Sequence, residues 1–86
     1  MGANTKGNIS KVVAVDLTNQ DYEPGGGFFI RVGGAGNLKY CPMGNSDAEA
    51  ITKAVEASSV FNDCEYCRKI FKVGTTATVI YAGFGF

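Results

Sequence analysis

Arg68-Lys-Ile-Phe-Lys-Val-Gly-Thr-Thr-Ala-Thr-Val-Ile-Tyr-Ala-Gly-Phe-Gly-Phe86 is the stretch whose reading decides the fold. It reads as a β-hairpin. Two runs rich in β-branched and aromatic residues, Lys69 to Val73 and Thr78 to Tyr81, flank Gly74-Thr-Thr-Ala77, and Gly74 can take the positive φ that a tight connection needs. Alternation puts Lys69, Phe71 and Val73 on one side of the first run and Arg68, Ile70 and Lys72 on the other, giving an apolar and a basic face. The second run is apolar on both sides. Val79 and Tyr81 point one way, while Ile80, Ala82 and Phe84 point the other. Such a strand is covered on both faces, and in a short chain the second cover is expected from another molecule.

Composition narrows what surrounds this stretch. The 86 residues make one small domain, and 12 glycines with 2 prolines fit an all-β fold with many turns. Eight basic and eight acidic residues cancel to zero net charge, which gives no sign of a basic nucleic-acid footprint and removes the self-repulsion that opposes association. The 3 cysteines are an odd number and predict free thiols. The polar start, Met1 to Ser10, predicts no secretory signal, and no run approaches the roughly 20 apolar residues of a membrane span.

Taken outward from the N-terminus, residues 1–8 are expected to be a flexible arm and residues 9–86 a single β domain. Lys11 to Leu17 alternates as a half-buried strand with Val13, Val15 and Leu17 on its apolar face. Thr18 to Gly27 is a loop. Phe28 to Val32 is a second strand with Phe28, Ile30 and Val32 inward and Phe29 and Arg31 outward, and Gly33-Gly-Ala-Gly36 turns it into a third, Asn37 to Cys41, with Leu38 and Tyr40 inward. The segment 47–57 admits two readings. Ser46 and Glu49 form a capping-box signature with Ala48, Ile51 and Val55 at helical spacing, while Ile51 and Val55 also share a face of an extended strand. Propensity puts the short helix ahead.

Several features in order carry a resemblance: Ile30-Arg-Val-Gly-Gly-Ala-Gly-Asn-Leu-Lys-Tyr40, then Ala50-Ile-Thr-Lys-Ala-Val-Glu-Ala57, Phe61, Cys67-Arg-Lys-Ile-Phe71 and Gly74-Thr-Thr-Ala-Thr78. Between Val13 and Tyr81 the chain resembles small structural proteins of tailed-phage virions, of the head spike base, head-fibre and capsid-decoration type, including relatives in gene transfer agents. The resemblance implies a strand over Ile51 to Val55. It also implies a non-enzymatic homo-oligomer, assembled in the bacterial cytoplasm and located in the virion, that contacts the major capsid protein or a head-fibre protein.

No catalytic or cofactor-binding set emerges from the residues. Cys64-Glu-Tyr-Cys67 is a lone C-x-x-C in a chain with no histidine, short of the four ligands of a structural zinc site. Asp16, Asp21 and Glu23 lack calcium-loop spacing, and Thr75, Thr76 and Thr78 have no histidine to activate them. Neither glycine cluster precedes a G-K-[ST] sequence. The expectation is therefore a small antiparallel β-sandwich or jelly-roll-like barrel with no cofactor, metal, nucleic-acid or membrane partner. Its core is expected to hold Val13, Val15, Ile30, Val32, Leu38, Ile51, Val55, Phe71 and Val79, and its interface Ile80, Tyr81, Phe84, Phe86, Arg68 and Lys72. The competing class is a barrel that binds single-stranded nucleic acid by stacking bases on Phe28, Phe29, Tyr40 and Phe71.

Overall fold

The computed structural model describes residues 9–58, 61 and 65–85. The expected arm, 1–8, lies outside the described residues, as do Cys64 and Phe86. Among the described residues six strands form: β1 (Lys11–Ala14), β2 (Phe29–Gly34), β3 (Gly36–Pro42), β4 (Ile51–Val55), β5 (Cys67–Ile70) and β6 (Thr78–Phe84). They make two antiparallel sheets, with order β1-β6-β2 in sheet I and β4-β3-β5 in sheet II. The chain is thus all-β, as its glycine-punctuated pattern predicts, and it is not a closed barrel.

The C-terminal stretch does not form the expected hairpin. β5 and β6 belong to different sheets, and the link between them crosses from one to the other along β3. Along that link Phe71 donates its N–H to the Lys39 carbonyl at 2.9 Å, and Thr76 and Ala77 both donate to the Asn37 carbonyl at 2.8 and 2.9 Å. Two threonine hydroxyls accept in return, Thr75 Oγ1 from the Lys39 N–H at 3.0 Å and Thr76 Oγ1 from the Asn37 N–H at 2.9 Å. Gly74 does take a positive φ, +102°. These long-range bonds satisfy backbone groups that a hairpin would have paired locally.

A second crossing links the sheets on the other side. Only Ala35 separates β2 from β3, so the chain bends from sheet I into sheet II around Gly34 and Gly36. Beyond β6, the second edge of β2 is also used: Phe28 exchanges both backbone bonds with Cys67 at 2.9 and 2.8 Å, and Val32 accepts from Ser58 at 2.9 Å.

Between the sheets lie Phe28, Ile30, Val32, Leu38, Tyr40, Val55, Cys67, Ile70, Ala77, Ile80 and Ala82, with Val15, Leu17, Tyr22 and Phe84 packed around them. Ile30, Val32, Leu38 and Val55 are buried as expected. Val13 and Phe71 are only half-buried. Val79 and Ile51 are not core residues, being 57% and 36% exposed. For β6 the cause is a parity change. Ala77 and Ile80 are both buried although three positions apart, and Val79 between them has φ +54°. That left-handed step turns Ile80, Ala82 and Phe84 inward and Val79 and Tyr81 outward. Opposite Ile80 and Ala82 on β2 stand Val32 and Ile30, so a large residue meets a small one at the Ile30–Ala82 pair.

The capping box forms, with the Ser46 N–H donating to Glu49 Oε1 at 2.9 Å, but it opens only a single 3-10 turn, Asp47–Glu49. Pairing with β3 takes the following residues, so Ile51–Val55 is a strand and the longer helix over 47–57 does not form. Ladder bonds with a neighbouring strand override a weak helical preference.

Candidate interaction surfaces

The two sheets present different outer faces. On sheet I, alternation and register bring out Val12 and Ala14 from β1, Val79, Tyr81 and Gly83 from β6, and Phe29, Arg31 and Gly33 from β2. None of these is acidic, and Arg31 is the single cation among them. The Arg31 guanidinium carbon lies 4.4 Å from the Tyr81 ring centroid and 5.2 Å from that of Phe61, held between two aromatic faces. Phe29 packs against Tyr66 with ring centroids 5.2 Å apart. Gly83 makes room for this layer, because a Cβ there would meet Ile9 at 2.8 Å and Phe61 at 3.1 Å. Val12 is 51% exposed. The resulting surface is apolar and aromatic with one stacked charge.

Sheet II faces outward with Asn37 and Lys39 from β3, Thr52 and Ala54 from β4, and Lys69 from β5. Lys39 and Lys69 place their ammonium groups 5.2 and 4.8 Å from the Phe71 ring centroid. Beside them lies an ion cluster built by a bulge. The register between β3 and β5 shifts between Cys41 and Pro42, so Arg68 has no partner opposite it in the ladder and its side chain leaves at a new angle. Arg68 bonds Asp47 at 2.7 Å, Glu23 at 3.2 Å and the Asn45 carbonyl at 3.0 Å. Lys69 bonds Asp47 at 2.8 Å and lies 3.8 Å from both Asp21 and Glu23. Hydrogen bonds from Lys69 and then Arg68 hold the Asp47 carboxyl below the usual carboxylate range. On the inner side, the Tyr40 hydroxyl donates to Glu65, and this bond does most to lower the Glu65 carboxyl.

The expected interface residues therefore separate. Ile80 is inside the monomer's core, and Phe84 packs against that core with its ring 5.7 Å from Phe28. The monomer supplies both contacts, so neither belongs to an exposed patch. Tyr81 does lie on the outer face of sheet I, whereas Arg68 is occupied by the ion cluster on the other side. Lys72 is exposed, and its backbone N–H donates to Asp21 at 2.8 Å. The nucleic-acid reading loses two of its four platforms, because Phe28 and Tyr40 are buried and cannot stack on bases. Arg31, Phe61, Tyr66 and Val12 complete a surface that the sequence reading did not assemble. The outward alternation of Phe29 and Arg31 was its one legible signal.

Cys41 and Cys67 are both buried. Cys41 Sγ approaches the carbonyls of Asn45 and Ser46 at 3.2 and 3.3 Å, and Cys67 Sγ that of Glu65 at 2.7 Å. Among the described residues no three metal-ligating side chains converge, and no helix is long and apolar enough to cross a membrane. Comparison of the chain with protein families, curated proteins and solved structures found no match.

Proposed function

We propose that the chain is a non-enzymatic structural protein of a phage virion. It would decorate the capsid, or serve as base or adaptor for a head spike or fibre, and act through contacts with itself and with the major capsid protein or a head-fibre protein. One observation carries the reading. The outer face of sheet I is a largely apolar, partly aromatic sheet surface whose cation, Arg31, is stacked on Tyr81 and Phe61, while the ion cluster of Arg68, Lys69 and Asp47 lies on the other sheet. A sheet face of that composition is suited to being covered by protein. The ordered features from Ile30 to Thr78 that resemble virion components give the contact its setting.

The test is incorporation of purified chain into particles lacking it. Val79→Glu places a charge on an exposed residue of the central strand β6 and should lower incorporation by about tenfold, the effect of roughly 1.4 kcal/mol, with the fold retained. A folded Val79→Glu chain that incorporates like the unmodified one removes the basis for the reading. Binding to single-stranded DNA at low salt should be negligible in the same preparations.

A further inference from the structure

Each sheet ends in a strand, β1 in sheet I and β4 in sheet II, whose outer edge is paired with no other strand among the described residues, and the chemistry of the two edges differs. The bond from the Val15 N–H to the Ile80 carbonyl, 2.9 Å, fixes the alternation of β1. Residues 11, 13 and 15 pair their backbone groups with β6, while the N–H and C=O of Val12 and Ala14 point away from the sheet. In sheet II, Asn37 and Lys39 turn their backbone groups toward β5 and the link after it, so Leu38 and Tyr40 bond β4, and Thr52 and Ala54 face its free edge. An open edge of this kind is a template for strand addition unless something blocks it.

We infer that β1 is the self-association edge: two copies pair β1 with β1 antiparallel about Val13, joining two copies of sheet I into one six-stranded sheet. The inference rests on the assembly reading above and names the contact that makes the homo-oligomer. In this register Val12 of one copy forms a hydrogen-bonded pair with Ala14 of the other, twice over, while the two Val13 residues face each other as a non-hydrogen-bonded pair. Every directly opposed side chain over 12–14 is then apolar. Lys11 falls opposite Val15 of the other copy, so no like charges are set against each other along the ladder. The equivalent pairing of β4 about Lys53 would set two ammonium groups directly opposite each other, which is destabilising, so β4 is the guarded edge. Pairing β1 with β4 of another copy would be head-to-tail and would grow without closing, whereas β1 with β1 closes as a two-fold dimer.

The experiment is light scattering on the full chain across a concentration series, with backbone amide exchange on the same samples. The expected result is a concentration-dependent species of twice 9.1 kDa, with the Val12 and Ala14 amides gaining protection as it forms. Ala14→Pro removes an N–H that β6 does not use, so it should leave the fold intact by circular dichroism and weaken dimerisation by at least about tenfold. If that variant fails to fold, the exchange data on the unmodified chain decide. A mass that stays at 9.1 kDa up to about millimolar concentration, open-ended growth, or a dimer whose Val12 and Ala14 amides stay unprotected would each overturn the β1 assignment. A dimer that persists unweakened in Ala14→Pro would do the same. In all of these cases particle incorporation is read separately, so the virion reading can stand or fall without the dimer.

Discussion

Val79 is the residue with the most conspicuous backbone. A β-branched side chain at φ +54° crowds its own carbonyl, and such positions cost about 1–3 kcal/mol. Glycine takes the same conformation without strain and gives back only about 0.5–1 kcal/mol through the entropy of the unfolded chain. The Val79 side chain is 57% exposed, so little packing is lost with it. Val79→Gly should therefore raise stability by about 1 kcal/mol, which for a domain of this size is a rise in Tm of about 4–8 °C. Val79→Ala keeps the strain and should give no such gain. A melting curve in which Val79→Gly is unchanged or lower would show that the left-handed step carries no strain.

The decisive element is the link from Phe71 to Ala77, which carries the chain from sheet II to sheet I. Thr75 Oγ1 accepts the Lys39 N–H at 3.0 Å in a partly buried position. Thr75→Val preserves the shape and removes the acceptor, leaving a donor on the central strand of sheet II without its partner. The expected cost is about 1–2 kcal/mol by denaturant titration, because an unsatisfied buried donor loses its desolvation energy. Thr52→Val on the exposed strand β4 is the matched control and should change stability by less than about 0.5 kcal/mol. Equal effects at the two positions would mean that the link is not clamped by its threonines.

At the scale of the whole molecule, the ion cluster ties the 21–23 loop, the Asp47 turn and β5 together, and it should respond to acid. Asp47 and Glu65 are held below their ordinary values of 3.8 and 4.5, so the folded chain binds fewer protons than the unfolded chain in that range. Their stabilisation is complete above those ordinary values and is lost as pH falls through the lowered ones. With no histidine in the chain, Tm should be flat between about pH 7 and 5 and should fall below about pH 4. Asp47→Asn should flatten part of that acid limb. Because the cluster is exposed to solvent, the change should be modest and should shrink further in high salt. An acid limb identical in Asp47→Asn and the unmodified chain would show that the cluster adds nothing to stability.

By itself, the sequence determined where the strands lie and how β2 and β3 face. Phe28, Ile30 and Val32 alternate with Phe29 and Arg31, and Leu38 and Tyr40 with Asn37 and Lys39, and side-chain alternation is a local property of extended chain. Gly74 and the Ser46–Glu49 box were legible for the same reason. Pairing was not. Whether β5 meets β6 depends on bonds between Lys39 and Thr75 or Asn37 and Thr76, distant in sequence, that no local pattern encodes. β6 is apolar on both sides, so its pattern could not say which side the core would take, and a left-handed step at Val79 decided it. The ion pairs of Arg68 with Asp47 and Glu23 were equally illegible, because they follow a bulge visible only in the paired sheet. Local geometry is written residue by residue, whereas partner choice belongs to whichever distant backbone groups satisfy one another.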